Sequence, residues 1–242
     1  MIKQFYEKAL PTQGVFCIAS IDKDGRVSQR FAETLDDLVS QTERYKTKGL
    51  NVYVALASFE GYSRKAVDAV ALRSFFVDLD VGDGKGYADK ALARAGLESF
   101  ISQEELPPPV VLDSGTGIHA YWLFEDNVAV AEWKPYAEKF KAKCIASGLR
   151  IDPVVTADVA RIMRCPDTLN YKTDPPSPSK ILTDEIHQYS FEEFKTYLDG
   201  GIVGQGLPEI NSPVKDILMA ASGSLDEDTL AIQKRDNFER VF

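Results

Sequence analysis

The chain has 242 residues, of which 44% are hydrophobic and 27% are charged, so its composition excludes wholesale disorder and indicates a folded enzyme-sized protein. Its formal net charge of −9 argues against a surface that wraps a long nucleic-acid duplex, because such binding depends on Lys and Arg. No apolar run approaches the roughly 20 residues that span a bilayer and no signal-peptide pattern is present, so we expect a cytoplasmic protein that does not bind membranes.

The first sixty residues predict a hairpin, a helix and a strand. Apolar residues alternate over residues 15–20, and the chain turns at Asp24-Gly25 and returns to Phe31, which is typical of a β-hairpin. Thr34, followed three residues later by Asp37, has the pattern of a helix N-terminus. Gly49 ends this helix, and residues 51–57 follow as a strand.

The rest of the chain continues to alternate strands with helices. Because hairpins are common among them, we expect an interleaved α+β fold with a mixed or antiparallel sheet. A boundary near residue 200 separates a domain at 1–200 from a linker and an acidic, partly helical tail at 201–242. The expected elements are strands at residues 74–80, 110–113, 118–124 and 150–155, and helices at residues 87–101, 133–144 and 190–200.

A pair of acids, Asp78 and Asp80, ends the apolar strand SFFVDLD. Residues two apart on a strand point to the same side, so both carboxylates project together while Val77 and Leu79 face the core. Adjacent carboxylates repel, and a divalent cation such as Mg²⁺ removes that cost. The alternative is that the strand ends at Asp78 and both acids cap a turn with Gly82.

The segment SGTGIH begins at Ser114 and ends at His119. A Gly-rich turn leaves backbone N–H groups free to approach an anion, and His119 lies close to that turn. The alternative is that His119 is a structural histidine, as we expect for His187.

A third segment, residues 150–172, combines acids with a high density of cations. Between residues 134 and 180 there are nine basic and five acidic residues, which indicates a local basic surface. Arg gives planar bidentate contacts to phosphate and Lys a point charge, so the segment suits a triphosphate. The alternative is a solvated amphipathic segment in which Arg161 pairs with Asp158. The polar residues concerned are Asp152, Asp158, Arg161, Arg164, Asn170 and Lys172.

In this order the three segments resemble the archaeo-eukaryotic primase superfamily, in particular the primase-polymerases of phages and other mobile elements. The resemblance covers roughly residues 50–175. It implies an RRM-like antiparallel sheet that carries the three motifs and packs against a smaller N-terminal α/β unit. It also implies a DNA primase or DNA polymerase that adds nucleotides from NTPs or dNTPs by a two-metal mechanism, acting in the host cytoplasm if a phage encodes it.

The resemblance implies a role for each polar residue of the three motifs. Asp78, Asp80 and Asp152 would hold two Mg²⁺ or Mn²⁺ ions, with Asp152 preferred over Asp158 because the family places its acid on a strand shortly before a Thr or Ser, here Thr156. His119 would act in catalysis and contact phosphate. The other expected nucleotide-binding residues are Ser114, Arg161, Arg164, Asn170, Lys172 and Lys85. The expected partners are a single-stranded DNA template, a primer and a separate replicative helicase.

The sequence departs from the family pattern at Asp167, where related sequences usually have glycine. We expect this acid to place a negative charge beside the phosphate site. The zinc module of many primases is absent, as is the GxxxxGK[ST] motif of a fused helicase.

Two other functions share part of this evidence. A DxD glycosyltransferase would use Asp78 and Asp80 to hold a sugar nucleotide, but it has no use for the basic third segment. A non-catalytic replication module would bind single strands through aromatic residues such as Tyr121 and Trp122.

Overall fold

Antiparallel sheets organise the part of the chain that the computed structural model describes, residues 2–200. This confirms the expected α+β class. The strands are β1 (Phe16–Ile21), β2 (Val27–Ala32), β3 (Asn51–Ala55), β4 (Ser58–Phe59), β5 (Ala69–Asp80), β6 (Val110–Asp113), β7 (Gly117–Ala129), β8 (Ile162–Arg164), β9 (Leu169–Asn170), β10 (Ser177–Pro178) and β11 (Lys180–Ile181).

Helices separate several of these strands. One helix precedes the first hairpin and one follows it, and the other three pack against the longest strands, β5 and β7. A 3₁₀ turn, Ala66–Asp68, leads into β5. The α-helices of residues 2–200 are α1 (Ile2–Ala9), α2 (Leu35–Lys46), α3 (Lys90–Gln103), α4 (Val130–Ala146) and α5 (Phe191–Leu198).

A four-stranded sheet of order β2-β1-β3-β8 contains the predicted hairpin. Its turn forms because the Asp22 carboxylate accepts from the N–H groups of Asp24 and Arg26, both at 2.9 Å. The predicted helix begins as expected, since the Thr34 hydroxyl accepts from the Asp37 N–H at 3.1 Å. Helix α1 had no prediction, and it packs through its buried Phe5.

A five-stranded sheet of order β11-β6-β7-β5-β4 is the larger of the sheets. Strand β5 is longer than its predicted range because its first residues also pair, Ala71 with Ala129 of β7. On one face, the buried Phe75 ring contacts Phe140 of α4 and Phe194 of α5, with ring centroids 5.1 and 6.0 Å away. This aromatic core holds the strand that carries the first acidic pair.

The prediction of a strand at residues 150–155 is wrong. The segment forms consecutive turns instead, with the N–H groups of Val155 and Thr156 donating to the Asp152 carbonyl at 3.2 and 3.4 Å. Pro153 has no N–H to give to a sheet, which explains the preference for turns.

The strand that follows, β8, pairs with β3 of the four-stranded sheet. The expectation that one sheet carries all three motifs is therefore wrong, because the third motif joins the N-terminal sheet. The first two motifs lie on β5 and at the β6–β7 turn of the five-stranded sheet.

Helix α5 begins after Ser190, as predicted, and the chain then reaches Gly200. The predicted boundary near residue 200 coincides with the end of the description, and the predicted linker and acidic tail at 201–242 lie outside the described residues. Within residues 2–200, no helix is long and apolar enough to cross a membrane.

Candidate active site

The acidic pair lies on β5 with the orientation expected from strand geometry. Val77 and Leu79 are fully buried, whereas Asp78 and Asp80 are partly exposed on the other face. Burial, reinforced by the negative charge of Asp80, raises the pKa of Asp78 to about 7. The Asp80 carboxylate lies 3.3 Å from the Lys85 ammonium, which reaches it from the Gly-rich loop.

His119 lies directly opposite Asp78 in the β5–β7 register, with its Nε2 3.6 Å from the Asp78 Oδ1. Burial, followed by the positive charge of Arg164, lowers the pKa of His119 to about 3, so the ring is neutral. The Tyr121 hydroxyl is 2.9 Å from Nδ1, and burial raises the Tyr121 pKa well above its usual range. Tyr121 therefore donates to Nδ1 and leaves the ring proton on Nε2, which points toward Asp78.

Tyr121 is a positioning residue that the sequence analysis treated only as a possible stacking aromatic. Its position two residues after His119 on one strand was a usable signal, because such residues share a face.

The SGTG turn is packed rather than open. The Ser114 hydroxyl donates to the Gly117 carbonyl at 3.1 Å, and the Asn170 amide donates to the Ser114 carbonyl at 2.8 Å. Gly115 has φ +90°, and a Cβ there would lie 2.7 Å from that of Asn170. Asn170 thus joins the third motif to the second through the Ser114 carbonyl, while the Ser114 hydroxyl bonds within its own turn, to Gly117.

Asp152 and Asp158, left open as alternatives, have different surroundings. The Asp152 N–H donates to the Asp78 carbonyl at 3.0 Å, and its Oδ2 lies 4.0 Å from the Arg161 guanidinium. The Asp158 carboxylate accepts from the Ala160 N–H at 2.9 Å and closes a turn. Asp152 is therefore the acid beside the first pair.

Arg164 is a buried cation, with 4% of its surface exposed. Its guanidinium donates to the Asn51 Oδ1 at 2.9 Å and to the Tyr53 hydroxyl at 2.8 Å. Burial lowers its pKa, and within residues 2–200 no carboxylate lies within ion-pair distance of it. A buried guanidinium without an acid favours binding of an anion. No sequence pattern indicates Asn51 or Tyr53 as partners of this arginine.

Lys172 is exposed, and its charge lowers the pKa of Asp78, against the larger effect of burial. Arg161 acts on Asp78 in the same direction. The structure thus brings Asp78, Asp80, Asp152 and four of the predicted cations, Lys85, Arg161, Arg164 and Lys172, to the junction between the two large sheets.

Asp167 acts on two buried groups beside the four-stranded sheet. Its charge raises the pKa of Tyr6 and of Cys165, on the side of the sheet that α1 and α2 cover. Its φ is +57°, a left-handed conformation that glycine adopts most easily and Asp tolerates. A glycine would adopt this backbone conformation without strain.

The donor set fits a hard divalent ion, although residues 2–200 contain no preassembled group of three or more His, Cys, Asp or Glu ligands. Two of the three acids have cationic partners: Asp80 pairs with Lys85, and Asp152 pairs with Arg161. Asp78 has only the neutral His119 beside it, and burial makes its ionised carboxylate unfavourable. Mg²⁺ commonly uses one or two carboxylates with water and substrate phosphates, so Asp78 and Asp80 suffice as protein ligands.

Replacing Asp78 by Asn is expected to stabilise the metal-free protein at alkaline pH. The folded pKa of about 7 exceeds the ordinary 3.8, so the folded state binds more protons between these values and stability falls as the pH rises through them. The difference corresponds to at most about 4 kcal/mol above pH 7. We expect Asp78→Asn to raise the melting temperature in EDTA at pH 8 by about 5–10 °C, and by little at pH 4.

The control for this measurement is Asp24→Asn, an exposed acid on the hairpin turn. It should leave the melting temperature unchanged at both pH values. If Asp78→Asn and the wild type had the same melting temperature at pH 8, the ionised Asp78 carboxylate would not destabilise the folded protein.

Comparison with known proteins supports the architecture. No protein-family model matches the chain, and no curated protein matches its sequence. The primase-polymerase domain of cyanophage S-2L has a TM-score of 0.56 at 19% identity, covering 76% of this chain and 89% of that one. Primase RepB′ has a TM-score of 0.55 at 14% identity, covering 93% and 69% respectively.

The catalytic domain of primase RepB′ in complex with initiator DNA has a TM-score of 0.50 at 14% identity, covering 77% of this chain and 84% of that one. These domains share the antiparallel α+β architecture described above. The chain therefore has the fold of these primase domains, which is the fold that the resemblance of its three motifs implied.

Proposed function

We propose that the chain is a template-dependent nucleotidyltransferase, a primase or DNA polymerase that adds nucleotides from NTPs or dNTPs in the replication of phage or mobile-element DNA. One observation carries the proposal: in a primase fold, two adjacent carboxylates and a third acid meet the buried Arg164, which pairs with no carboxylate of residues 2–200, at the junction of two sheets. The carboxylates would hold the metal ion that binds the triphosphate, and the guanidinium would bind the phosphate oxygens directly.

The basic residues would bind and orient the triphosphate. Arg164 is held rigidly by two hydrogen bonds, so it provides a fixed donor pair. Arg161 and Lys85 pair with acids in the free protein, and both would exchange these partners for phosphate oxygens when a metal-bound nucleotide arrives. Lys172 is exposed at the edge and would contact the outer phosphates.

His119 would serve as a neutral donor. Its Nε2–H points toward the acidic pair, where the nucleotide phosphates would lie beside the metal. A divalent ion held by Asp78 and Asp80, with Asp152 adjacent, would supply Lewis acidity and lower the pKa of the attacking hydroxyl.

The test is a primer-extension and de novo synthesis assay on single-stranded DNA, with Mg²⁺ or Mn²⁺ and with each nucleotide set. We expect template-directed incorporation that requires the metal and stops in EDTA. Absence of incorporation under every combination would contradict the proposal.

Thermal stabilisation by ligands separates this function from the glycosyltransferase alternative. With a divalent metal, dNTPs or NTPs should raise the melting temperature, because a ligand that binds only the folded state stabilises it. Sugar nucleotides that stabilise the protein more than nucleoside triphosphates do would favour the alternative. If the protein bound single strands in a salt-sensitive manner without metal and synthesised nothing, the non-catalytic module would be favoured.

A further inference from the structure

The four-stranded sheet has one face that α1 and α2 do not cover. Tyr6 of α1 and Thr42 of α2 both act on the pKa of the Cys165 thiol, so both helices lie on the Cys165 side. Successive residues of an extended chain point to opposite sides, so Arg164 points away from these helices. The face to which Arg164 belongs also faces the acidic site, because its charge acts on His119.

A continuous row of side chains crosses this second face. In the strand register Arg164 pairs with Tyr53, Tyr53 with Ala19, and Ala19 with Gln29. Adjacent strands lie about 4.8 Å apart, so the row extends roughly 14 Å from the candidate active site to the sheet edge. The Arg164 guanidinium lies over the Tyr53 ring, 4.4 Å from its centroid.

Aromatic side chains continue the row at the sheet edge. Phe31 pairs with Cys17 on the same face as Gln29, and the Tyr62 ring packs edge-on against Phe31 with centroids 6.0 Å apart. Tyr62 is 67% exposed, and its hydroxyl donates to Glu33, which fixes the ring while leaving a face available. We call Arg164, Tyr53, Gln29, Phe31 and Tyr62 the outer face.

A cation borders the outer face between its two ends. Arg64 donates through Nη1 to the carbonyl of Ala160, the residue before Arg161 of the candidate site. Its buried Nε has no hydrogen-bond partner among residues 2–200. Arg64 also lies close enough to Cys17 for its charge to act on that thiol, whose pKa burial raises to about 11. Arg64 therefore links the edge aromatics to the site.

The arginines of this surface favour a polyanion, and Glu33, an acid at its edge, accepts a hydrogen bond from Tyr62. Arg164 lies at its inner end and Arg64 at its border, and the strand positions on this side carry no acid. The remaining strand residues on this side are Cys17, Ile21, Val27, Asn51, Ala55 and Ile162.

We propose that the outer face binds single-stranded DNA as the template path to the active site, with Tyr62 and Phe31 as stacking surfaces and Arg64 as a phosphate contact. The proposal rests on the proposed function, since it names the partner of the same site. Exposed aromatic rings beside cations are the arrangement that binds single strands without sequence preference, since every base offers a π-face. A cation bonded to one carbonyl retains donors for phosphate.

The test compares Tyr62→Ala, Tyr62→Phe and Arg64→Met in the full chain. Binding of a fluorescent oligo-dT is measured in EDTA, where no synthesis occurs, and the KM values for template and for nucleotide are measured in extension assays. Base–aromatic stacking contributes about 1–3 kcal/mol per base, so Tyr62→Ala should raise the Kd and the template KM about tenfold. Tyr62→Phe keeps the ring and should retain most of the binding that Tyr62→Ala loses, and Arg64→Met should weaken binding and reduce its salt dependence.

The nucleotide KM should not change in the Tyr62 variants, and Leu92→Ala, an exposed apolar residue on α3, should behave as the wild type in every assay. Wild-type affinity of Tyr62→Ala for oligo-dT would overturn the inference even if the enzyme synthesises DNA. A wild type that binds oligo-dT through Tyr62 but synthesises nothing would overturn the proposed function and leave the binding surface in place. Self-association that Tyr62→Ala abolishes, with unchanged DNA binding, would identify an interface between copies and overturn the inference.

Discussion

Replacing Asp78 and Asp80 together by alanine is expected to abolish template-dependent incorporation, with a loss of at least about a thousandfold in kcat. Such a loss corresponds to about 4 kcal/mol of barrier. These carboxylates are the partly exposed acids of β5, aligned on one face of a strand whose other face is buried in an aromatic core. Their removal takes away the oxygen ligands while Val77 and Leu79 keep the strand in place.

The double variant should also remain folded, which separates catalysis from stability. Asp78 is a desolvated carboxylate whose raised pKa indicates a cost in the metal-free protein. The melting temperature of the double variant in EDTA at pH 8 should therefore equal or exceed that of the wild type. The matched control is Asp36→Ala with Asp37→Ala, two exposed acids in the first turn of α2, which should leave the rate unchanged. Undiminished synthesis by the Asp78→Ala, Asp80→Ala protein would exclude this pair as the catalytic centre.

Local patterns in the sequence predicted much of the fold because the relevant interactions are local. The first hairpin depends on the Asp24-Gly25 turn and on alternation within a few residues, and helix α2 depends on Thr34 three residues before Asp37. These features can be identified without knowing the rest of the chain. The orientation of Asp78 and Asp80 likewise follows from strand geometry alone.

The third motif could not be placed in the same way. Which sheet receives β8 depends on pairing with β3, more than a hundred residues earlier in the chain. The expected strand before it failed because Pro153 favours turns, and only the folded structure shows that those turns carry Asp152 to the Asp78 carbonyl. The partners of Arg164, Asn51 and Tyr53, are equally non-local.

The same non-local packing changed the interpretation of the Gly-rich turn. The glycines of SGTG predict an open turn that binds phosphate, since glycine permits close approach. In the structure, the close approach is made by Asn170, and Gly115 leaves room for that side chain. The turn then fixes the start of β7, which positions His119 opposite Asp78.

Arg164→Met is expected to lower kcat/KM for nucleotide about a hundredfold with little loss of stability. The change keeps an unbranched side chain of similar length but removes the charge and its donors. Charge-assisted hydrogen bonds are worth about 1.5–3 kcal/mol, and a hundredfold loss corresponds to about 3 kcal/mol. Because a buried guanidinium without an acidic partner costs desolvation energy, an apolar replacement offsets part of the two lost hydrogen bonds.

Two measurements, steady-state kinetics and the melting temperature, together distinguish a role of Arg164 in nucleotide binding from a structural role. Steady-state kinetics should show a raised KM for nucleotide and a lower kcat, while the melting temperature without nucleotide stays within a few degrees of the wild type. Arg94→Met, an exposed arginine on α3, should change neither quantity. Wild-type kcat/KM in Arg164→Met would show that the buried cation serves only the sheet, because a charge placed to bind the triphosphate cannot be removed without a loss of transition-state stabilisation.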